Sequence, residues 1–486
     1  MDYGFLKSGT DIRGCATDLG GKKTELTDQA VSDIAAAFVS FAVNRSGKPS
    51  NELVISLGHD SRITADRICS IVSGALVKAG VTVVYVDYAS TPAMFMTTVD
   101  LKCDAAIQIT ASHHPFDRNG LKFFLPSGGL EGSDIAEILA LASNGAEVIS
   151  DTTGKIIERD YMKQYAENLR SIIIKSVGRG DMPLKGYHIV VDAGNGVGGF
   201  YATEVLEILG ADISGSRFLE PDGMFPNHIP NPEDKTAMKS ICEAVTDSGA
   251  DLGIIFDTDV DRAGCVDKNG NEINRNRLIA LASYIALGGK KGATVVTDSV
   301  TSDGLKEFIE DTLGGRHYRY RRGYKNVIDK AIELNNAGED APLAIETSGH
   351  AALRENYFLD DGAYLMTKIV IELAKGTDFE KILKPLKMPK EEKEVRYSIT
   401  VPDFKAYGEK VISELEKFAR SREDFKVAPD NREGIRVSTG NGWFLLRLSV
   451  HDPVMPLNLE SSVTGGTEKD FAVISDFLSQ FDGLSL

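Results

Sequence analysis

Residues 53–62 read LVISLGHDSR, a short apolar run that passes directly into small, polar and acidic residues. The pattern recurs, and helix-like segments such as 28–41 and 204–209 lie between copies. The further copies are VTVVYVDYASTP (81–92), AAIQITASHHP (105–115), YHIVVDAGNG (187–196), LGIIFDTDVDR (252–262), TVVTDSVTS (294–302) and PLAIETSGH (342–350). Strands that alternate with helices predict βαβ units. Ligands bind beyond the carboxyl ends of such strands, so we expect the chemistry in the polar loops.

The length and the breaks of the chain predict four domains. Its 486 residues exceed what one hydrophobic core normally holds. Candidate joints lie at 150–160, 267–276 and 385–394. The last piece combines a helix over 406–420 with two strands, which is typical of an α+β domain. We therefore expect three α/β domains with mixed, largely parallel sheets, followed by a C-terminal α+β domain.

The composition indicates a globular protein of the cytoplasm. Hydrophobic residues make up 42% and charged residues 26% of the chain. Apolar runs are shorter than the roughly 20 residues that span a bilayer, and the N-terminus has no leader pattern. Five scattered cysteines without CxxC spacing favour reduced thiols. A net charge of −17 argues against nucleic acid and membranes as partners, whereas a small anionic substrate remains compatible with local basic residues.

The loop TASHHP at 110–115 carries a candidate nucleophile. Small neighbours let the hydroxyl of Ser112 project, and His113 and Lys122 can handle charge beside it. A serine in a turn is more often structural, because hydroxyls commonly cap helices. The loop also lacks the GxSxG pattern of a hydrolase.

The loop DTDVDR at 257–262 carries three carboxylates at alternate positions. Asp257, Asp259 and Asp261 would repel one another unless a cation lies among them, and an all-oxygen set selects a hard ion such as Mg²⁺. The alternative is a solvated acidic turn. An EF-hand does not fit, because Arg262 and Lys268 occupy the places of its glycine and its last glutamate.

Two later loops carry groups suited to a phosphorylated sugar. Glu346 and Ser348 can accept from and donate to sugar hydroxyls, although a capped helix start explains them equally well. Arg447 and Ser449 follow an apolar strand, where a guanidinium fork and a hydroxyl can receive a phosphate. Taken alone, an exposed arginine at a strand end is the simpler explanation of Arg447.

Together these loops resemble the α-D-phosphohexomutase family. The resemblance runs through nearly the whole chain in the family's order. It covers SGTDIRG (8–14), STPA (90–93), TASHHP, VVDAGNGVGG (190–199), DTDVDR, ETSGH (346–350) and RLSVHDP (447–453). The family's usual forms are TASHNP for the phosphoserine loop, DGDGDR for the metal loop and RPSGTEP for the phosphate loop.

The resemblance implies a phosphohexomutase that interconverts the 1- and 6-phosphates of glucose or mannose. Phosphorylated Ser112 would give its phosphate to the sugar, and the bound hexose 1,6-bisphosphate would turn around before returning the other phosphate. Mg²⁺ and the bisphosphate, as activator and intermediate, are the implied cofactors. A phosphosugar is the implied partner of a monomer or homodimer.

The resemblance also assigns residues and domains. The implied catalytic residues are Ser112, His113, Lys122 and Arg13, and the implied metal ligands are Ser112, Asp257, Asp259 and Asp261. The implied substrate-binding residues are Glu346, Ser348, His350, Lys325, Arg262, Arg447, Ser449, Val450 and His451. The domains would be 1–160 with the phosphoserine loop, 161–272 with the metal loop, 273–390 for sugar recognition and 391–486 for phosphate binding, around a central cleft.

Three alternatives stay open, and departures from the family pattern bear on the first of them. Val450 and His451 replace the Gly-Thr of the phosphate loop, Pro456 replaces a basic residue, and Tyr324 stands where some members have a histidine. A catalytically degraded phosphosugar-binding protein of the same fold is one alternative. A phosphoglucosamine mutase is the second, and a phosphatase acting at Ser112 is a weaker third.

Overall fold

The computed structural model describes residues 1–146, 148, 150–449 and 452–486. The chain divides into two compact units: residues 1–278 with 348–380, and residues 279–347 with 381–486. The chain passes between the units three times: within the helices Asn276–Leu287 and Phe379–Leu383, and between residues 347 and 348.

The first sheet of the first unit is parallel at its centre and antiparallel on one side. Its strands, in spatial order, are Lys7–Ser8, Asp11–Cys15, Arg118–Leu125, Ala105–Ile109, Val54–His59, Thr82–Tyr88 and Lys155–Glu158, with Gly128–Gly129 beside Arg118–Leu125. The last four strands of the main path run parallel, whereas Arg118–Leu125 is antiparallel to both of its main neighbours. Its helices are Asp28–Ser46, Ala65–Lys78, Thr91–Asp100 and Gly132–Ser143.

The helix Asp28–Ser46 shows how local sequence fixes these elements. The side chain of Thr27 accepts a hydrogen bond from the main-chain N–H of Ala30 at its start, and Gly47 ends it with a left-handed φ of 69°. Its face with Ile34 and Phe38 is buried in the main core of this domain. Burial of each such side chain contributes about 1.5–3 kcal/mol.

The second sheet of the first unit carries the acidic loop. Ile189–Asp192 lies parallel to Leu252–Phe256, and Ala263–Asp267 returns antiparallel to it, followed by Glu272–Ile273. Other elements of this part are Tyr161–Val177, Lys235–Ser248, Gly362–Ala374 and the strand pair Ala351–Leu353 with Leu359–Asp360. The segment expected to be helical at 204–209 forms a π-helical turn over Tyr201–Leu206 instead.

The second unit contains a parallel sheet and an antiparallel sheet. The parallel strands are Thr294–Thr297, Arg316–Arg319 and Leu343–Ile345, with helices Asp303–Glu307 and Tyr324–Asn336 and a π-helical turn Phe308–Thr312. The antiparallel order is Lys426–Val427, Ile435–Ser438, Gly442–Leu446, Val454–Ser461, Glu391–Ile399 and Leu484–Ser485. Phe404–Arg420 and Gly466–Leu478 pack on one face of it.

The predicted fold class is confirmed: mixed α/β sheets are followed by an α+β domain. The domain boundaries at 160, 272 and 390 stay a prediction. The expected joint at 150–160 contains the strand Lys155–Glu158, which pairs with Thr82–Tyr88. Among the described residues, no helix combines the length and the apolar character needed to cross a bilayer.

Candidate active site

Ser112 lies in a buried turn just beyond the strand Ala105–Ile109. Its exposed fraction is 1%, and its φ of 51° is left-handed, which costs a residue with a Cβ about 1–2 kcal/mol. The main-chain N–H of Ser112 donates to Thr110 Oγ1 at 2.9 Å. Its own Oγ lies 3.1 Å from Asp257 Oδ2 and 3.2 Å from His113 Nδ1. The turn therefore points the hydroxyl at the acidic loop.

The three aspartates of that loop are buried together. Asp257, Asp259 and Asp261 are at most 3% exposed, and one carboxylate oxygen of each lies within 4.8 Å of the others. Burial, together with the charges of the other two, raises the pKa of Asp257 well above its usual range. Val260, between two of them, has a φ of 64°, a conformation that β-branched residues rarely adopt.

Lys122 enters the same cluster from the neighbouring strand of the first sheet. It pairs with Gln108 across the ladder, and its Nζ donates to Asp259 Oδ2 at 2.9 Å and to Asp261 Oδ2 at 2.5 Å. Burial alone would lower the pKa of Lys122, but the two carboxylates raise it well above its usual range. The ammonium group is therefore charged and opposes part of the acidic charge.

The cluster fits a hard divalent cation. In the described parts of the chain, Asp259 Oδ1 and Asp261 Oδ1 are buried without a hydrogen-bond partner, which is costly for a carboxylate. Three carboxylates against one ammonium leave an excess of negative charge. Oxygen-only ligands select Mg²⁺, Mn²⁺ or Ca²⁺ over softer metals.

Two further segments hold the acidic loop in place, and we did not predict their roles from the sequence. Thr91, at the start of the helix Thr91–Asp100, donates from Oγ1 to Asp259 Oδ2 at 2.5 Å and from its main-chain N–H to the Asp259 carbonyl at 2.9 Å. Gly196 lies against the loop so closely that a Cβ would sit 2.6 Å from the Thr258 carbonyl oxygen. The sequence signal was present, because both belong to the STPA and VVDAGNGVGG segments.

Arg262 and His350 contact each other beside the three aspartates. Arg262 Nε donates to His350 Nε2 at 2.9 Å and lies 3.9 Å from Asp257 Oδ2. Because Nε2 accepts, the ring proton of neutral His350 is on Nδ1, which lies 3.4 Å from Asp360 Oδ2. Burial, followed by the charge of Arg262, lowers the pKa of His350 well below its usual range.

His113 contacts Ser112, and the charge of Arg13 acts on His113. Arg13 Nη2 donates to Asp11 Oδ2 at 2.7 Å, and Arg13 pairs with Gly120 in the ladder beside Lys122. Burial, with help from nearby cations such as Arg262, lowers the pKa of His113 to about 2. The imidazole of His113 is therefore neutral at physiological pH.

The predicted sugar-binding residues fall in both units. In the first unit, Ser348 is 6% exposed, and its Oγ has no hydrogen-bond partner within the described ranges. In the second unit, Glu346 Oε1 accepts from the main-chain N–H of Gly323 at 2.7 Å. Lys325 Nζ donates to Asp329 Oδ1 at 2.6 Å, one helical turn away.

Arg447 is a mostly buried cation of the second unit. Its Nη1 lies 3.5 Å from Glu433 Oε1, and Glu433 also accepts from Ser299 Oγ at 2.5 Å. Burial lowers the pKa of Arg447, and Nε has no hydrogen-bond partner in the portion of the chain that the structure describes. Ser449 Oγ accepts from the main-chain N–H of Asp452 at 3.3 Å. Val450 and His451 lie outside the described residues.

Comparison with known families gives this arrangement a context. Three family profiles match, described as phosphoglucomutase/phosphomannomutase α/β/α domains I, II and III, over residues 10–149, 160–270 and 274–388. The chain belongs to the phosphoglucomutase/phosphomannomutase family. It is therefore an enzyme, an isomerase that transfers phosphate.

Relatives of this mutase family match over almost their whole length. A phosphoglucomutase of Neisseria gonorrhoeae is 29% identical over 448 residues, with 91% of this chain and 92% of that protein covered. A phosphomannomutase/phosphoglucomutase of Pseudomonas aeruginosa is 28% identical over 474 residues, with 97% and 95% covered. A solved phosphoglucomutase/phosphomannomutase family protein of Burkholderia thailandensis is 26% identical with a TM-score of 0.81, covering 99% of this chain and 98% of that one.

Proposed function

We propose that this enzyme interconverts the 1-phosphates and 6-phosphates of glucose and mannose, with Ser112 as the phosphate carrier and a hexose 1,6-bisphosphate as the bound intermediate. The supporting observation is the 3.1 Å approach of Ser112 Oγ to Asp257 within a buried group of three aspartates. A nucleophilic hydroxyl beside a divalent-cation site is what phosphate transfer requires. The relative from Pseudomonas aeruginosa is named as a phosphomannomutase/phosphoglucomutase, for the same pair of sugars.

The transfer conserves atoms and charge. An oxygen of the sugar bonds to the phosphorus carried by Ser112, the bond from phosphorus to Oγ breaks, and Oγ keeps its electron pair. One proton passes, in net, from the sugar hydroxyl to Oγ. Neutral His113, with Nδ1 at 3.2 Å from Oγ, is suited to orient the Ser112 hydroxyl through a hydrogen bond. The return transfer from the bisphosphate reverses these changes at the other end of the sugar.

Asp257, Asp259 and Asp261 would hold Mg²⁺ together with Ser112. When bound, this ion neutralises charge on the oxygens of the migrating phosphoryl group. Lys122 and Arg13 supply fixed positive charge near the same oxygens. Arg262 is held through His350, so it approaches the acidic loop in one orientation.

The remaining predicted residues would bind the sugar and its second phosphate. Ser348, with its unpartnered hydroxyl, and Glu346 suit sugar hydroxyls, together with His350 and Lys325. Arg447 has a buried Nε without a partner in the described ranges, which suits a phosphate oxygen. Ser449, Val450 and His451 would complete that phosphate subsite. The five cysteines are free thiols, in keeping with a cytoplasmic location.

Turnover of three 1-phosphates tests this function. Glucose, mannose and glucosamine 1-phosphates, each with Mg²⁺ and a trace of the matching bisphosphate, are coupled to detection of the 6-phosphate. We expect turnover of the glucose and mannose esters. Preference for the glucosamine ester would make the enzyme a phosphoglucosamine mutase, and binding without turnover would identify a degraded binding protein.

Ser112→Ala is the decisive variant in that assay. We expect its turnover to fall by at least about 10⁴-fold, because the covalent carrier is lost. Ser283→Ala is the matched control, since Ser283 is equally buried and donates to the Ile279 carbonyl of its own helix. Turnover by Ser112→Ala at the wild-type rate would remove Ser112 from the mechanism.

A further inference from the structure

Arg62 is a fully buried arginine beneath the Ser112 turn. Its side chain is 0% exposed. Nη2 donates to the carbonyls of Ser112 at 2.5 Å and His114 at 2.6 Å, and Nη1 donates to those of Pro115 at 2.7 Å and Arg118 at 2.8 Å. One guanidinium therefore satisfies four main-chain acceptors of the loop that carries the nucleophile.

Asp60 and Thr110 extend this contact to the other side of Ser112. Asp60 Oδ2 lies 3.2 Å from Arg62 Nε and accepts from Thr110 Oγ1 at 2.7 Å. Thr110 Oγ1 in turn accepts from the main-chain N–H of Ser112. The peptide groups before and after Ser112 are thus tied to the same buried ion pair.

Ser112 needs such support because of its backbone conformation. A φ of 51° is unfavourable for serine and persists only where the surroundings over-determine it. The four carbonyls converge on one point, where only a planar group with several N–H donors can serve them all. Lysine would keep the charge but lacks this planar fork.

We infer that Arg62 is a positioning residue for phosphate transfer, holding the Ser112 turn in its left-handed conformation so that Oγ meets the acidic cluster. This inference rests on the proposed function, since it takes Ser112 as the carrier. Arg62 touches main-chain carbonyls of the turn, and its effect on the reaction is exerted through Ser112.

Arg62→Lys tests the inference against Arg67→Lys. Arg67 is a matched control, because it too donates to main-chain carbonyls, those of Ala16 at 2.9 Å and Leu26 at 3.1 Å, but not in the Ser112 turn. We expect kcat of Arg62→Lys, per folded molecule, to fall about 100-fold, the size of effect that a displacement of about 1 Å produces. We expect its KM to stay within about threefold of the wild type, and Arg67→Lys to keep the wild-type kcat.

Two further measurements separate positioning from folding. In Arg62→Ala, added ethylguanidinium should restore part of kcat without changing the melting temperature. Thr110→Val, which removes the acceptor for the Ser112 N–H but keeps the volume, should lower kcat at least about tenfold with little change in KM. If Arg62→Lys does not fold, the kcat of Thr110→Val is the measurement that tests the positioning role.

A wild-type kcat per folded molecule in Arg62→Lys, or in Thr110→Val, would overturn the inference. Failure of the proposed function is distinguishable, because it appears as turnover in Ser112→Ala. If Ser112→Ala is inactive and Arg62→Lys is fully active, Ser112 remains the carrier and only the positioning role of Arg62 is lost.

Discussion

At the scale of single residues, the site concentrates strain and charge. Ser112 and Val260 both have left-handed φ values, and both belong to the loops that carry the proposed nucleophile and ligands. Three buried carboxylates lie beside them, opposed mainly by Lys122. Strained backbone and grouped buried carboxylates both lower the stability of a fold, and they persist mainly at functional sites. A bound cation would offset most of the repulsion among the three carboxylates.

Removal of Mg²⁺ should therefore destabilise the wild type, and Asp257→Asn should lose this response. Without metal, we expect Asp257→Asn to melt at or above the wild-type temperature, because burial and the charges of Asp261 and Asp259 disfavour a carboxylate at this position, whereas neutral Asn avoids both costs and keeps an acceptor for Ser112 Oγ. With saturating Mg²⁺, only the wild type should gain stability, about 2.7 kcal/mol at a hundred times Kd. Thermal melts in EDTA and in Mg²⁺ measure both.

Asp247→Asn is the control for charge alone, since its side chain is 73% exposed. It should respond to Mg²⁺ as the wild type does. Equal stabilisation of Asp257→Asn by Mg²⁺ would contradict the proposed ligand set.

The sequence indicated the residues that we propose to react but not those that hold them in place. Ser112 and the aspartates stood out because TASHHP and DTDVDR resemble the family's phosphoserine and metal loops and occur in the family's order. Arg62 lies in a segment that we interpreted only as a strand end, whereas Thr91 lies in STPA, which belongs to the family resemblance but to which we gave no role. Their partners are main-chain carbonyls and a distant carboxylate, and such long-range contacts leave no local spacing signal for the role.

At the scale of elements, the two chemical loops are turns between antiparallel strands. The Ser112 loop joins Ala105–Ile109 to Arg118–Leu125, and the acidic loop joins Leu252–Phe256 to Ala263–Asp267. The βαβ pattern predicted helices after such loops. Short apolar strands look alike whether a helix or another strand follows, so periodicity alone could not separate the two. The antiparallel return places Lys122 against the acidic loop.

The two faces of the C-terminal sheet differ because side chains alternate along each strand: one packs on the two helices, and the other carries the buried apolar residues Trp443 and Leu445 together with charged residues. Leu446 and Leu457 face the core with the two helices, whereas Glu460 lies on the other face, directly opposite Glu392 on the neighbouring strand. Burial raises the pKa of Glu460 to about 7, and the nearby Glu392 adds to the shift.

Glu460 should make the stability of this domain depend on pH. Its folded pKa lies above the usual glutamate value near 4.5, so its stabilising contribution is complete below pH 4.5 and is lost as the pH rises through 7. We expect about 2 kcal/mol of this loss to fall between pH 5.5 and pH 8. Glu460→Gln should remove it and raise the melting temperature at pH 8 relative to the wild type.

Melting curves at pH 5.5 and pH 8 provide the test. Glu414→Gln, on the surface of the helix Phe404–Arg420, is the control and should leave the pH dependence unchanged. An identical pH dependence in Glu460→Gln and the wild type would show that Glu460 is not the titrating group.

At the scale of the whole molecule, an anionic substrate must bind to a protein whose net charge of −17 repels it. Long-range attraction cannot supply the affinity, so it must come from local cations such as Arg447. The sequence order of the motifs was enough to predict the family and the fold class. It could not give the arrangement of the phosphate subsite, because Val450, His451 and Pro456 depart from the family pattern.

Arg447→Ala should raise KM for glucose 1-phosphate at least about tenfold, with a smaller effect on kcat, because a charged hydrogen bond to phosphate contributes about 1.5–3 kcal/mol. Arg420→Ala is the control in the same domain, since Arg420 pairs with Glu416 on an exposed helix face. An unchanged KM in Arg447→Ala would exclude Arg447 from the phosphate subsite.

The proposed function depends above all on Ser112 as the residue that carries the phosphate. Its most direct test is to treat the enzyme with glucose 1,6-bisphosphate labelled with ³²P, map the label to a peptide, and chase it with unlabelled glucose 1-phosphate. We expect label on Ser112 alone, transferred to the sugar at the rate of turnover, and no label in Ser112→Ala. Label on another residue, or label on Ser112 that the sugar does not remove, would contradict it.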